Sequence, residues 1–250
     1  MDLGLAGRAY IVTGGTKGLG FATARALIDD GANVVVSSRS AESVEAAVAA
    51  LGRSARGVVG DNADPSLPAR LVAAALDEFG GGLHGALVSV GGPPGTAALG
   101  ATDEQWRAAF ESVFVGATRI VREVVPHLSS EDGVAIGLVL STSVKTPLGG
   151  LEISNGLRPG LAMWAKQLAD ELGPRGVRVF SLLPGRVLTD RTLSLTPDPA
   201  DRERVAQTIP LRRYGDADEF GRVAAFLLSP AASYLTGLAV PVDGGLLRSL

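Results

Sequence analysis

Two short stretches carry residues whose types and spacing suit chemistry. The first is TGGTKGLG, Thr13 to Gly20, in which Gly14, Gly18 and Gly20 fall between a strand-like and a helix-like segment. Glycines at that spacing let the backbone turn tightly and approach a pyrophosphate, whose charge is met by N–H groups at the start of the helix. The second is LEISNGLRPG, residues 151–160, with a carboxyl at Glu152, a hydroxyl at Ser154 and a guanidinium at Arg158. An alcohol is a far weaker acid than a phenol, and a guanidinium titrates above about 12, so neither gives up a proton near neutral pH. Glu152 differs: a carboxyl in a dry pocket rises toward neutral pH and serves as acid or base. The plainer reading of Glu152 is an exposed loop carboxylate.

The glycine turn also bears on which dinucleotide it would hold. An NAD site wants an acid at the end of the second strand for the ribose hydroxyls, whereas a 2′-phosphate wants a cation there. The sequence offers VVVSSRS, ending in Ser38, Arg39 and Ser40 with no acid at 36–38, and it places Lys17 inside the turn. Arginine forks onto phosphate oxygens and lysine adds a point charge, so two converging cations predict NADP(H). The alternative is that both are solvated surface charges.

Those residues need a scaffold, and the chain supplies a repeating one. Apolar runs at 8–13, 33–38, 57–61, 84–90, 133–143, 176–185 and 237–245 alternate with helix-period stretches at 21–31, 41–52, 67–80, 103–128 and 216–229. Val-rich runs of this kind suit strands buried on both faces, and the alternation predicts an α/β fold: a doubly wound, Rossmann-type parallel sheet of about seven strands with helices on both faces. With 250 residues, 46% hydrophobic and 20% charged, and no linker-like segment, a single domain over 1–250 is expected. Residues 188–215 are polar, Pro-punctuated and follow a strand's carboxyl end, which makes them a candidate lid.

Composition narrows the function classes. A net charge of −3 supplies no cationic surplus for nucleic acid. Zero cysteines exclude a disulfide framework, a thiolate metal site and a cysteine nucleophile. No apolar run approaches the roughly 20 residues that span a bilayer, and the first fifteen residues lack the order of a secretory signal. A cytoplasmic protein acting on a small molecule, with no nucleic-acid or membrane partner and no metal, is the expectation. His84 and His127 have no ligand-spaced company and read as structural; Trp106 and Trp164 read as packing or subunit-contact residues.

The glycine turn resembles the TGxxxGxG motif of the short-chain dehydrogenase/reductase family. The resemblance continues through DNAD (61–64), SVGG (89–92), LLPGRVLTDR (182–191) and YLTGLAVPVDGG (234–245), and so covers nearly the whole chain. It implies that Thr16, Lys17 and Leu19 join the three glycines at the cofactor, that Asp61 contacts the adenine ring with Asn62 beside it, and that Gly91 lies along the cofactor. It further implies cofactor contacts from Pro184 and Gly185 and a carboxamide contact from Thr189. Assembly as a homodimer or homotetramer is implied too, through helices around 103–128 and 159–172 and the C-terminal strand, with GGLLRSL in the contact.

Members of this family use a Ser, a Tyr and a Lys, the last two spaced YxxxK, with an Asn on the preceding helix. Counting back from KQLADELGPRGVRV places the Tyr at Ser154 and the Lys at Arg158, and counting from EQWRAAFESVFVG places the Asn at Val113. Only the Ser survives, as Ser141 or alternatively Ser143. The phenol's role is thus empty, and Arg158 keeps at most the binding half of the lysine's work. Pro159 lacks the N–H that would bond the Asn155 carbonyl, so either the helix starts at Pro159 or it is kinked there. In the first case Ser154 and Arg158 need not share a face.

Lys145, Asp190 and Arg191 are other polar groups near these motifs, with Lys145 reading more simply as a loop cation; Asn155 reads as a helix cap or a substrate contact. The resulting expectation is an NADP(H)-dependent oxidoreductase acting on a small carbonyl or conjugated substrate with a non-standard proton donor. Two alternatives stand beside it: a catalytically silent dinucleotide-binding homologue, and a non-redox dehydratase, cyclase or epimerase using Arg158, Glu152 and Ser141.

Overall fold

The computed structural model describes residues 2–249. Its seven strands are β1 (Ala9–Thr13), β2 (Asn33–Ser38), β3 (Ala55–Val59), β4 (Gly85–Ser89), β5 (Ala135–Val139), β6 (Arg178–Pro184) and β7 (Leu238–Val242). They form one parallel sheet in the order β3-β2-β1-β4-β5-β6-β7. The strand order reverses between β1 and β4, so the carboxyl ends of these two strands flank a crevice, the place where ligands bind in open α/β sheets.

Side chains of successive strand residues point to opposite faces, and the core divides accordingly. Ile11 and Val35 face one apolar cluster with Leu71, Ile120 and Leu161, supplied by α3 (Leu67–Phe79), α5 (Gly116–Val124) and α6 (Glu152–Leu172). Tyr10, Val12, Val34 and Val36 face the other, with Leu27 and Phe220 from α1 (Gly18–Asp29) and α9 (Ala217–Leu228). Both faces being buried explains why the strand sequences are continuously apolar rather than alternating. The remaining helices are α2 (Ala41–Leu51), α4 (Asp103–Ala109), α7 (Asp190–Leu195) and α8 (Pro199–Ala206), the last two on the segment read from sequence as a lid. The root of that segment is pinned where Leu188 N donates to Gly215 O at 2.8 Å.

Three elements refine the sequence reading, in which 103–128 is one long or broken helix. The third strand ends at Val59, two residues before the predicted limit, although Gly60 N still donates to Ser38 O at 2.9 Å. The stretch 103–128 is broken by a π-helical turn, Phe110–Val115, closed by Gly116 N donating back to Glu111 O. Most consequential, α6 begins at Glu152 and runs through Pro159, so the start at Pro159 is excluded. The missing Pro159 N–H costs one intrahelical bond. Side-chain ties across the first two turns hold the segment helical regardless, as the site geometry makes plain.

Candidate active site

The crevice at the carboxyl ends of the strands is lined in two adjoining cavities of about 400 and about 430 Å3 that share Gly14, Ser89, Gly91 and Gly92. The glycine turn forms the floor between β1 and α1. Gly14 and Gly18 have φ of 61° and 51°, where a side chain is strained, and a Cβ on Gly20 would come within 2.3 Å of the Gly14 carbonyl oxygen. Ser89, on β4, is held against β1 by a pair of bonds: its N donates to Thr13 Oγ1 (2.9 Å) and Thr13 Oγ1 donates to its carbonyl (3.2 Å). Asn62 Nδ2 donates to that same carbonyl at 3.1 Å.

The first cavity brings together Gly14, Lys17, Gly18, Leu19 and Gly20 with Gly91, Pro184, Gly185 and Thr189, and with Ser141, Ser154 and Arg158. The second gathers Ser38, Arg39, Asp61 and Asn62. Thr16 lines neither. Lys17 and Arg39, expected to converge, stand on different cavities, because the former belongs to the turn and the latter to the end of β2. Arg39 lies 3.8 Å from the Asp61 carboxylate, an exposed pairing of little energetic weight. Apart from Thr16, the residues expected at the cofactor line one or the other of these two adjoining cavities, with a glycine at position 20 where a Cβ would meet the Gly14 carbonyl.

Opposite the glycine turn stands the wall built by β5 and α6. Because α6 continues through Pro159, Ser154 and Arg158 do share a face, and Arg158 Nε donates to Ser154 Oγ at 3.0 Å. The same guanidinium donates to the carbonyls of Val139 (3.2 Å), Leu140 (2.6 Å) and Gly91 (2.5 Å). These are carbonyls at or beyond the ends of parallel strands, where the ladder offers no further N–H, so the arginine ties the ends of β4 and β5 together. Burial, followed by repulsion from Arg191, lowers the Arg158 pKa to about 10. It remains a cation at neutral pH, buried without a carboxylate.

Ser154 is buried and exchanges a hydrogen bond of 3.2 Å with Ser143 Oγ. Ser141 behaves differently: its Oγ accepts from Ser143 N at 3.1 Å, lines the first cavity and keeps its hydroxyl proton available to a ligand. The two serines weighed for one role are thus split between cavity wall and buried network. Val113 is buried in the π-helical turn and offers no polar atom.

Glu152 departs from its expected role. Its Oε1 accepts from Ala101 N at 2.6 Å, and the side chain lines neither cavity, since the first turn of α6 points it at the loop before α4. Asn155 is neither a cap nor a cavity residue: its amide pairs with both backbone groups of Leu148, at 3.0 and 2.9 Å. Gly156 lets the indole of Trp106 approach, a Cβ there falling 2.6 Å from the ring. Asn155 and Gly156 thus fasten the segment around Pro159 from two sides. Lys145 is exposed and off the wall.

No tyrosine lines either cavity. Tyr10 is fully buried under the sheet with its pKa pushed up to about 12 by desolvation, Tyr214 is buried outside the cavity walls, and Tyr234 is fully exposed. His84 is structural, its Nδ1 accepting from Ala9 N at 3.1 Å and its Nε2 lying 3.2 Å from Glu131. Sequence reasoning missed Arg186 and Leu246, both on the first cavity; the latter comes from a tail expected only at a subunit contact.

A family model described as enoyl-(acyl carrier protein) reductase matches residues 14–247. The chain belongs to the short-chain dehydrogenase/reductase family. It is 36% identical over 246 residues to dehydrogenase/reductase SDR family member 4 of Oryctolagus cuniculus, covering 96% of this chain and 94% of that protein. The human protein of the same name is 35% identical, with 96% and 88% covered. Among solved structures, L-sorbose reductase from Gluconobacter frateurii, complexed with NADPH and L-sorbose, superposes with a TM-score of 0.93 at 30% identity over the whole of both chains. An NADPH-bound short-chain oxidoreductase from Pseudomonas aeruginosa PAO1, described as containing an atypical catalytic center, gives 0.90 at 29% identity over 97% of this chain and 98% of that one. In this short-chain dehydrogenase/reductase, the cavity wall built by β5 and α6 carries Ser154 and Arg158. No helix among the described residues is long and apolar enough to cross a membrane.

Proposed function

We propose that the protein is an NADP(H)-dependent oxidoreductase that acts on a small carbonyl or conjugated substrate without a tyrosine acid. The observation that carries this reading is the crevice itself: a glycine-cradled nucleotide floor faces Ser141, Ser154 and Arg158, and no phenol stands on its walls. The glycine turn and the residues around it would hold the dinucleotide, whose nicotinamide would supply the hydride chemistry. Ser141 donates its hydroxyl proton as a hydrogen bond to the substrate oxygen, and the Arg158 cation stabilises negative charge developing there. The proton that completes the product comes from solvent through the open crevice. Such a site favours acceptors whose product needs no strong protonation at the moment of transfer. Arg39, on the second cavity, supports the phosphorylated dinucleotide, while Lys17 stands on the first.

Further parts of the same reading are a closing motion of 188–215, cytoplasmic residence, and self-assembly as a homodimer or homotetramer. The exposed Phe110 and Met163 on the faces of the π-helical turn and α6 support the assembly. A silent dinucleotide-binding protein is the alternative that one observation favours: four of the five Arg158 donor hydrogens are already engaged within the protein.

Fluorescence titration with NADPH and NADH, followed by a ketone and enone panel read at the NADPH absorbance band, tests these readings. Enone turnover with NADPH preferred supports the proposal; NADPH binding with inertness across the panel favours the silent protein. Failure to bind either dinucleotide rejects both. Since α6 holds positions 154 and 158 on one face, the double variant Ser154→Tyr, Arg158→Lys is expected to gain ordinary ketone reduction.

A further inference from the structure

The first cavity carries more positive charge than a dinucleotide needs. Four residues with cationic side chains line it, Lys17, Arg158, Arg186 and Arg191, against one with a carboxylate, Asp190, a surplus of three. A pyrophosphate brings two negative charges to this half of the crevice, and the 2′-phosphate belongs with Arg39 in the other half. One positive charge is left over when a reduced dinucleotide is bound. A cation facing a partly closed cavity with no counter-ion is costly, and the cavity's own chemistry calls for an anion.

The arginines are not equivalent. Arg158 is consumed by carbonyls and Ser154. Arg191 lays its guanidinium over Gly92, where a Cβ would fall 1.9 Å from its Cζ, and donates to the carbonyls of Gly92 (3.1 Å) and Pro93 (2.9 Å). Arg186 differs from both. Among the described residues no carbonyl or side chain accepts a hydrogen bond from its guanidinium and no carboxylate pairs with it, although it is only partly exposed. Its backbone is rigidly seated: Gly185 N donates to Val242 O at 3.0 Å, Gly215 N donates to Arg186 O at 2.9 Å, and Gly185 packs so closely on Asp243 that a Cβ would lie 2.7 Å from its Cα. Arg186 thus brings to the cavity lining a firmly seated backbone and an unengaged guanidinium, whose planar fork matches a carboxylate. Leu148, Leu151, Leu195 and Leu246 line the same cavity and offer apolar surface to the rest of a ligand.

We infer that the first cavity selects a substrate bearing one carboxylate on an apolar body, with Arg186 as the residue that grips the carboxylate. This rests on the oxidoreductase reading above and names the substrate class for that site.

The test measures binding rather than turnover, so the two ideas fail separately. Straight-chain and phenyl-bearing 2-oxo acids, from pyruvate to 2-oxo-4-phenylbutanoate, are compared with their amides by calorimetry on the full-length protein, with and without saturating NADPH. The expected result is that at least one acid binds about 10-fold or more tightly than its own amide, and that Arg186→Met brings that ratio to within about two-fold. Arg186→Lys, which keeps the charge and loses the fork, is expected to retain part of the preference, and a native circular dichroism spectrum shows that both variants fold. If in every pair the acid binds no better than the amide, or if the ratio survives in Arg186→Met, the inference is overturned, whether or not NADPH binds. A loss of NADPH affinity in Arg186→Met with the acid preference intact would assign the arginine to the pyrophosphate and overturn it as well. Failure of NADPH to bind removes the oxidoreductase reading, and the acid-to-amide ratio on the cofactor-free protein still decides the carboxylate site.

Discussion

The two walls of the crevice meet their ligands in opposite ways. On the floor, Thr13 to Gly20 works by what it omits: Gly14, Gly18 and Gly20 leave backbone exposed and no side chain in the way. On the wall, α6 works by what it fills, since Arg158 engages three carbonyls and a serine and leaves little for a ligand to claim. The contrast teaches that a buried arginine beside a cavity can spend most of its donors on the scaffold. A floor built of glycines tolerates almost no added atom, whereas a wall held by one buried cation tolerates no lost one.

The sharpest way to break that contrast is Arg158→Met. It strands the carbonyls of Val139, Leu140 and Gly91 in a buried setting, and the expected loss is about 3 kcal/mol or more in chemical denaturation. Unchanged stability with weakened NADPH binding would recast Arg158 as a ligand group and erase the difference between floor and wall. Next in size is Gly20→Ala, whose Cβ would collide with the Gly14 carbonyl. Reshaping the turn is expected to weaken NADPH binding by about 10-fold or more, at a cost of about 1–3 kcal/mol in stability, both read by titration and unfolding. Asn155→Ala releases both backbone groups of Leu148 from α6, with an expected loss of about 1–2 kcal/mol.

The smallest effect lies at the far end of the sheet. Desolvation holds the His84 pKa below its ordinary 6.5, outweighing the hydrogen bond that Glu131 accepts from it. The unfolded chain therefore binds the proton more readily, so His84 withdraws stability as pH falls through the unfolded value, and nothing above it. A melting temperature that drops between about pH 7 and about pH 5, with a smaller drop in His84→Gln, is the expected outcome. That region lies away from the crevice, so ligand affinity should not follow the same curve.

Much of this was legible in the chain. Alternating Val-rich and helix-period segments specify a two-sided parallel sheet, because a strand covered on both faces has no polar side to show. The shape of the glycine turn was legible as well, since it depends on backbone and on the lack of Cβ atoms. Around Pro159 legibility ended. A local rule forbids a comfortable helix there, and the rule was overridden by the Asn155 amide on Leu148, the Trp106 indole against Gly156 and the Arg158 bonds, none of them neighbours in sequence. A separate contact, between residues 51 apart along the chain, gave Glu152 to Ala101.

The sequence by itself determined the sheet, its topology class and the nucleotide floor, because these depend on periodicity and on residue types acting within a few positions of one another. Only the tertiary structure decided what the polar residues of the wall do. A buried guanidinium bonds whichever carbonyls the fold brings to it, and Gly91 and Arg158 stand 67 residues apart along the chain. Nothing in local pattern can encode that meeting, or the fact that the Arg186 guanidinium finds no such carbonyl among the described residues.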